Sequence, residues 1–288
     1  MTTSAHTAAS QRVPSRPVPV RRIGHHEPLD LLDSVAVEEP LEIRVNSVVK
    51  GVRRERSVAV TMRTPGHDSE LAAGFLFTEG LLADPRDVLV VRPCRSGNRV
   101  RVVLRDGVSI DIARLKRHIY TSSSCGVCGK ASIAAVRVCR VLPPPVSDLT
   151  IAAGVVRTLA ARLRETQVVF ERTGGLHGCA LFATDGELID VREDVGRHNA
   201  LDKLIGRQFL IGKTPLQNRI LLLSGRISFE LVQKAAVAGI PVVAAIGAPS
   251  SLAIDLAAEV GMTLIGFVRD DRFNAYTGGE RITPQKTV

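Results

Sequence analysis

Cys125 and Cys128 stand three residues apart in the run Ser122-Ser123-Ser124-Cys125-Gly126-Val127-Cys128-Gly129-Lys130. Gly126 and Gly129 leave the backbone open and the serines give a polar approach, a setting that exposes thiols. Three chemistries compete for such a pair: half of a metal site, a dithiol redox couple, or a nucleophilic thiol that carries a group. A structural zinc site needs four ligands, usually including a second closely spaced pair. No such Cys or His doublet follows, so Cys139, Cys179 and His177 would have to supply it from scattered positions. A thioredoxin-type pair opens a helix inside a βαβ unit, which this region does not show. Group transfer needs a thiolate, which fixed positive charge and a helix N-terminus both favour. Lys130 follows the pair, and an Arg-rich stretch precedes it: Arg92, Arg95, Arg99, Arg101, Arg105, Arg114, Lys116 and Arg117 against Asp106 and Asp111. On that reading Cys125 attacks a donor persulfide and holds the sulfur, with Cys128 as partner or resolving thiol. The spacing alone leaves all three chemistries open.

Other residues carry weaker signals. Thr173-Gly174-Gly175-Leu176-His177 places two glycines before a histidine, where amides could approach an anion or His177 could move protons. A plain turn explains it equally well. Glu193-Asp194-Val195-Gly196-Arg197-His198-Asn199-Ala200-Leu201-Asp202-Lys203 is dense in acids, bases and amides directly after a strand pattern. It reads as a functional or interface segment more than as a solvated helix start, because α/β sheets place their sites at strand carboxyl ends. Ser224-Gly225-Arg226 could hold phosphate but lacks the Lys and longer loop of a P-loop. Phe267-Val268-Arg269-Asp270-Asp271-Arg272, followed by Phe273-Asn274-Ala275-Tyr276, combines carboxylates, guanidiniums and rings. That set suits a purine nucleotide, and a charged loop is the bland alternative. Cys94, Cys139 and Cys179 read as small core hydrophobes.

The elements that must position these residues follow from periodicity. Residues 1 to about 20 are Thr-, Ser-, Ala- and Pro-rich without an apolar period and read as a disordered leader. Leu41, Ile43 and Val45, then Val58, Val60 and Met62, alternate as a β-hairpin. Leu71, Ala72, Phe75 and Leu76 after Asp68 predict a helix stopped by Gly80, and strands follow near 88–91 and 100–104. A helix from about Ser132 ends before Pro143-Pro144-Pro145, which sets a domain boundary. Beyond it the pattern predicts a helix from Asp148 to about Arg164, a strand at 168–170, and a hairpin around Asp185-Gly186. Helices at 198–210, 229–238 and 252–260 then alternate with strands at 220–223, 242–246 and 263–268. The expected organisation is a leader over 1–20, an N-terminal α+β domain over 21–145 that carries the C-x-x-C loop, and a C-terminal α/β domain over 146–288.

Composition narrows the class. The formal net charge of +9 over 288 residues invites nucleic acid, but two Tyr, eight Phe and no Trp leave few stacking platforms. A phosphorylated small ligand meets the same charge, and nucleic acid is not expected. No apolar run reaches the about 18 residues a membrane span needs, and no signal peptide is evident, so a soluble cytoplasmic protein is expected. An odd count of five cysteines argues for reduced thiols.

Taken in order, these motifs resemble the formate dehydrogenase accessory sulfurtransferases of the FdhD family. The resemblance runs from about Glu39 to Tyr276 through Glu39-Pro40-Leu41, Arg63-Thr64-Pro65-Gly66, Glu70 to Leu76 with Glu79-Gly80, Ser124 to Lys130, Thr173-Gly174-Gly175, Glu193 to Lys203, Ser224-Gly225-Arg226 and Thr263 to Arg269. It implies a protein that takes persulfide sulfur from a cysteine desulfurase onto Cys125. The sulfur passes to the bis-molybdopterin guanine dinucleotide form of the molybdenum cofactor, destined for formate dehydrogenase. It also implies cofactor binding at Phe267, Val268, Arg269, Asp270, Asp271 and Arg272, with Asp270 standing where the family pattern has Gly, no metal bound directly by the protein, a homodimer, and a cytidine-deaminase-like fold in the C-terminal half. Zinc deaminases need H-x-E and a later P-C-x-x-C. Here His177-Gly178-Cys179 lacks the Glu, and the C-x-x-C precedes the histidine without a Pro. The remaining alternative is a non-catalytic chaperone that binds and inserts the cofactor.

Overall fold

The computed structural model describes residues 13–25, 27–49, 51–94, 97–111 and 149–284. It opens with a two-stranded antiparallel ribbon, β1 (Ser15–Arg22) and β2 (Leu29–Ala36), paired along all eight residues. Strand β1 therefore lies largely inside the stretch, 1 to about 20, expected to be a disordered leader. Its pairing left no amphipathic period to read, because most side chains on both faces of the ribbon stay open to solvent, Leu32 at 72% and Leu29 at 59% exposure.

The hairpin that follows is as expected: β3 (Glu39–Val49) and β4 (Val52–Arg63) are antiparallel about a turn at Gly51, whose φ of 76° suits glycine. Alternation sends Leu41, Ile43 and Val45 into the core and leaves Glu42 and Arg44 on the outer face. The predicted helix is α1 (Asp68–Thr78), ended by Gly80 at φ 71°. β5 (Val88–Pro93) and β6 (Arg99–Leu104) complete a four-stranded sheet in the order β4-β3-β6-β5, with β6 parallel to β3. On its outer face Arg99 reaches Glu42, and Arg44 and Arg101 both reach Glu55.

The second half starts with a short strand, β7 (Ile151–Ala152), and then α2 (Ala153–Thr166). Asp148, the expected cap, lies outside the described residues, as do the expected helix from Ser132 and the proline boundary. Residues 168–170, expected as a strand, instead open a one-and-a-half-turn helix, α3 (Val168–Thr173). The reason is not local: the Glu193 carboxylate accepts from the backbone N–H of Val169 (3.1 Å) and Phe170 (2.8 Å), and Gly174 closes the helix at φ 64°.

The rest follows the predicted alternation: β8 (His177–Phe182), β9 (Leu188–Asp194), α4 (Arg197–Leu210), β10 (Ile220–Leu223), α5 (Phe229–Val237), β11 (Val242–Ala245), α6 (Ser251–Glu259) and β12 (Thr263–Gly266). β13 (Asn274–Thr277) extends the sheet and β14 (Ile282–Thr283) pairs with β7. The sheet order is β13-β12-β11-β10-β8-β9, parallel only across β10, β11 and β12. These three strands are covered on both faces, which is why they are apolar without alternation.

One face packs Val156, Leu159 and Leu163 of α2. The other face belongs to a core shared with α1 and the four-stranded sheet, so Leu41, Leu71, Leu201, Leu221 and Leu264 form one cluster. The architecture is mixed α/β, an N-terminal and a C-terminal sheet joined through buried helix α4. No described helix is long and apolar enough to cross a membrane.

Candidate functional site

The carboxyl ends of the three parallel strands share one edge, and the turns that leave them touch backbone to backbone. Gly247 N–H donates to the Gly225 carbonyl (3.1 Å), Phe267 N–H to the Gly247 carbonyl (3.1 Å) and Val268 N–H to the Ala245 carbonyl (3.0 Å). A Cβ on Gly247 would lie 2.7 Å from the Gly225 oxygen, so only glycine allows this stack.

The turn after β12 carries the expected binding stretch. Phe267 takes the left-handed conformation (φ 55°), uncommon for a bulky residue, with its side chain partly exposed. Val268 is buried. Arg269 N–H bonds the Arg272 carbonyl at 2.8 Å and closes the loop. The Arg269 guanidinium donates to the Ile246 and Val268 carbonyls (2.8 and 2.7 Å), while Arg272 pairs with Asp271 at 2.8 Å. Between this loop and α2 opens a cleft of ≈ 400 Å³, lined by Ala160, Ile246 and the stretch from Val268 to Arg272. The volume is of small-ligand size. The Asp270 and Asp271 carboxylates of its lining can accept from ring N–H groups.

His177 begins β8 at the same edge, beside Asp194, the last residue of β9. Its Nδ1 would lie 3.2 Å from a Cβ on Gly225, so that glycine leaves room for the ring. Burial lowers the His177 pKa, the charges of Arg197 and His198 lower it further, and Asp194 opposes them, so the imidazole is neutral at neutral pH. His198 lies 3.8 Å from Glu230. Burial raises the Glu230 pKa, but hydrogen bonds from His198, from its own backbone N–H and from Ser228 outweigh that and hold it at about 2. Cys179 is fully enclosed, and burial pushes its thiol well above the ordinary range, in keeping with a core role.

The acid- and base-rich segment Glu193 to Lys203 proves to be largely an interface. Lys203 Nζ sits 2.6 Å from Asp194 Oδ2, with both side chains enclosed, and donates to the Thr64 carbonyl at 2.8 Å. Asp194 Oδ2 accepts from Thr64 N–H (3.1 Å), and Asn199 Nδ2 donates to the Met62 carbonyl (2.7 Å). Asp202 pairs with Lys234 at 2.9 Å and accepts from the Thr78 hydroxyl at 2.8 Å. Burial lowers the Lys234 pKa, but the charges of Asp202 and Glu79 more than reverse this and keep it protonated. Arg63, at 0% exposure, chelates Asp68 through Nε and Nη2 (2.8 and 2.9 Å). The motifs around Arg63, Glu70 and Glu193 thus lock the two sheets together.

The edge brings together His177, Arg197, His198, Gly225 and the Phe267–Arg272 loop. Cys125 and Cys128 lie outside the described residues, as do Lys130 and Cys139. Among the described residues no group of three or more His, Cys, Asp or Glu could hold a metal ion. Sequence reading missed Ala160, Ile246 and Glu230. Ile246 was detectable as the last residue of a predicted strand at a carboxyl edge, whereas Ala160 and Glu230 reach the site only through helix packing.

Comparison with known proteins identifies the family of the chain. The FdhD/NarQ family model matches residues 36–283. The chain is 50% identical over 268 residues to a protein of Streptomyces coelicolor named sulfur carrier protein FdhD, covering 89% of this chain and 91% of that one. A protein of the same name from Saccharolobus solfataricus is 44% identical over 250 residues, covering 87% and 91%. A crystal structure from Desulfotalea psychrophila, of a protein assigned as a formate dehydrogenase accessory protein, superposes with a TM-score of 0.72 at 25% identity, over 94% of this chain and all of that one. With the match running through both sheets, the cysteine-pair segment and the β12 turn, the chain belongs to the FdhD/NarQ family.

Proposed function

We propose that the protein is a sulfurtransferase that carries sulfur on Cys125 and delivers it to a molybdenum cofactor bearing guanine dinucleotide arms, for use by formate dehydrogenase. The observation that carries this reading is the family match over residues 36–283, which includes the Ser-Cys-Gly-Val-Cys-Gly-Lys segment, together with relatives named sulfur carrier proteins. The cleft lined by Val268 to Arg272 supports it, since its carboxylates suit the N–H donors of a guanine base. The hairpin β8–β9 followed by three parallel strands joined by helices supports a cytidine-deaminase-like C-terminal half. Partners on this reading are a cysteine desulfurase, the cofactor as substrate, formate dehydrogenase and a second copy of the chain, in the cytoplasm.

Chemically, the Cys125 thiolate attacks the terminal sulfur of the desulfurase persulfide. The new S–S bond forms as the old one breaks, and the desulfurase cysteine leaves as thiolate. In the second transfer Cys125 is released as thiolate and a neutral sulfur atom departs. The two electrons that make it a sulfido ligand come from the reduced metal of the substrate. Cys128 acts as partner thiol. The protein contributes position, holding the nucleotide arm while the sulfur is handed over.

The test is the intact mass of the protein after incubation with a cysteine desulfurase and cysteine. A gain of one sulfur that reductant removes and Cys125→Ser abolishes supports the carrier. No gain in the wild type, with guanine nucleotide still bound, favours a chaperone that binds and inserts the cofactor without carrying sulfur.

A further inference from the structure

The cleft's own charges cancel, Arg269 and Arg272 against Asp270 and Asp271. Both guanidiniums are also occupied, Arg269 by two carbonyls and Arg272 by Asp271. A nucleotide's phosphates bring several negative charges and call for cationic N–H donors, which this cleft by itself does not offer.

Such donors lie next along the same edge. The Phe267 and Gly225 turns are linked through Gly247, which accepts from one and donates to the other. Arg226, directly after Gly225, is exposed and pairs with no described residue. Beside Gly225 stands the His177 ring, and Arg197 is the charge that most depresses its protonation. Arg197 Nε is shielded from solvent without an acceptor among the described residues.

Among the described residues the buried Arg and Lys side chains are each matched: Arg63 by Asp68, Arg192 by Glu70, Lys203 by Asp194 and Lys234 by Asp202. The nearby carboxylate, Glu230, is already engaged by His198 and Ser228. A shielded guanidinium N–H without an acceptor is costly unless a ligand supplies one.

We propose that Arg226 and Arg197, with the His177 ring beside Gly225, form an oxyanion subsite for the phosphates of the nucleotide whose base occupies the Phe267–Arg272 cleft. The subsite rests on the nucleotide reading of that cleft given above. Gly225 is part of it, because any side chain there would press on His177.

Calorimetry with guanosine diphosphate, guanosine and inorganic pyrophosphate, on wild type, Arg226→Gln, Arg226→Lys, Arg197→Gln and Asp271→Asn, tests it. Each Arg→Gln variant should weaken guanosine diphosphate and pyrophosphate by about tenfold or more, as expected for charge-assisted bonds, and leave guanosine unchanged. Arg226→Lys should retain part of the affinity, and Asp271→Asn should weaken guanosine as well. Wild-type affinity for guanosine diphosphate in Arg226→Gln, an exposed position where folding is not at stake, overturns the subsite. Pyrophosphate binding that Arg226→Gln abolishes, without guanosine binding in the wild type, supports the subsite and sinks the base-binding reading of the cleft. Absence of all three ligands from the wild type overturns both.

Discussion

Gly74 and Gly206 face each other where α1 crosses α4, close enough that a Cβ on Gly206 would lie 2.6 Å from the Gly74 nitrogen. A Cβ on Gly74 would overlap the Asp202 carbonyl oxygen and lie 2.9 Å from Gly206 N. Both neighbours are backbone, so neither can swing aside. Exchanging either glycine for alanine gains about 1 kcal/mol of helix propensity, against an overpacking penalty that reaches about 3 kcal/mol when helices must part. Gly74→Ala and Gly206→Ala should therefore each lower stability by about 2 kcal/mol, read as a reduced urea midpoint. An unchanged midpoint would mean that the helices are not in contact there.

The buried pair Lys203–Asp194 sits between the sheets and cannot be broken cheaply. Removing one partner leaves the other charged and enclosed, at a cost of about 3–5 kcal/mol. Lys203→Met should unfold at markedly lower denaturant than wild type. Lys203→Met combined with Asp194→Asn should recover part of the loss, since the orphaned charge is gone. If the double variant is as unstable as the sum of the singles, the two groups are not coupled.

This pair also shows where reading the chain succeeds and where it stops. Strands β10 to β12 and helices α4 to α6 were legible to within a few residues because the strands are short unbroken apolar runs and the segments between them keep a helical period. The Glu193–Lys203 segment was legible as important but not as an interface, since its partners Thr64 and Met62 lie some 130 residues away in the chain. Helix α3 was misread for the same reason: its first amides are satisfied by Glu193, which local propensity cannot see. The Phe267–Arg272 stretch was placed correctly at a strand end, but the occupation of Arg269 by backbone carbonyls needed coordinates.

Stability should fall on the acid side in two stages. Burial and the charges of Arg197 and His198 depress the His177 pKa below 6.5. The unfolded chain then takes up this proton first, and stability present above pH 6.5 declines as pH drops below it. For Glu70, burial raises the pKa but hydrogen bonds from His67 and Arg192 outweigh it, bringing 4.5 down to about 2. Glu230 is lowered to about 2 as well. Their contributions, complete above pH 4.5, are lost as pH falls toward 2. Thermal melts from pH 7 to pH 3 should show this decline, and Glu70→Gln should flatten its lower part. A melting temperature independent of pH below 4.5 would contradict the assignment.

Among the cysteines, Cys179 offers an internal control for the sulfur-carrier reading. Its sulfur is enclosed at 1% exposure, with Arg197 O as the neighbouring acceptor at 4.0 Å, and its thiol is pushed strongly toward the protonated form. Attack on a persulfide needs an accessible thiolate, and Cys179 offers neither access nor charge. Native protein treated with iodoacetamide should leave Cys179 unmodified, and denaturant should expose it. Cys179→Ala should keep full sulfur uptake from a desulfurase, at a stability cost of about 1 kcal/mol for the lost core sulfur. Loss of uptake in that variant while it remains folded would move the carrier role from Cys125 into the core of the C-terminal sheet.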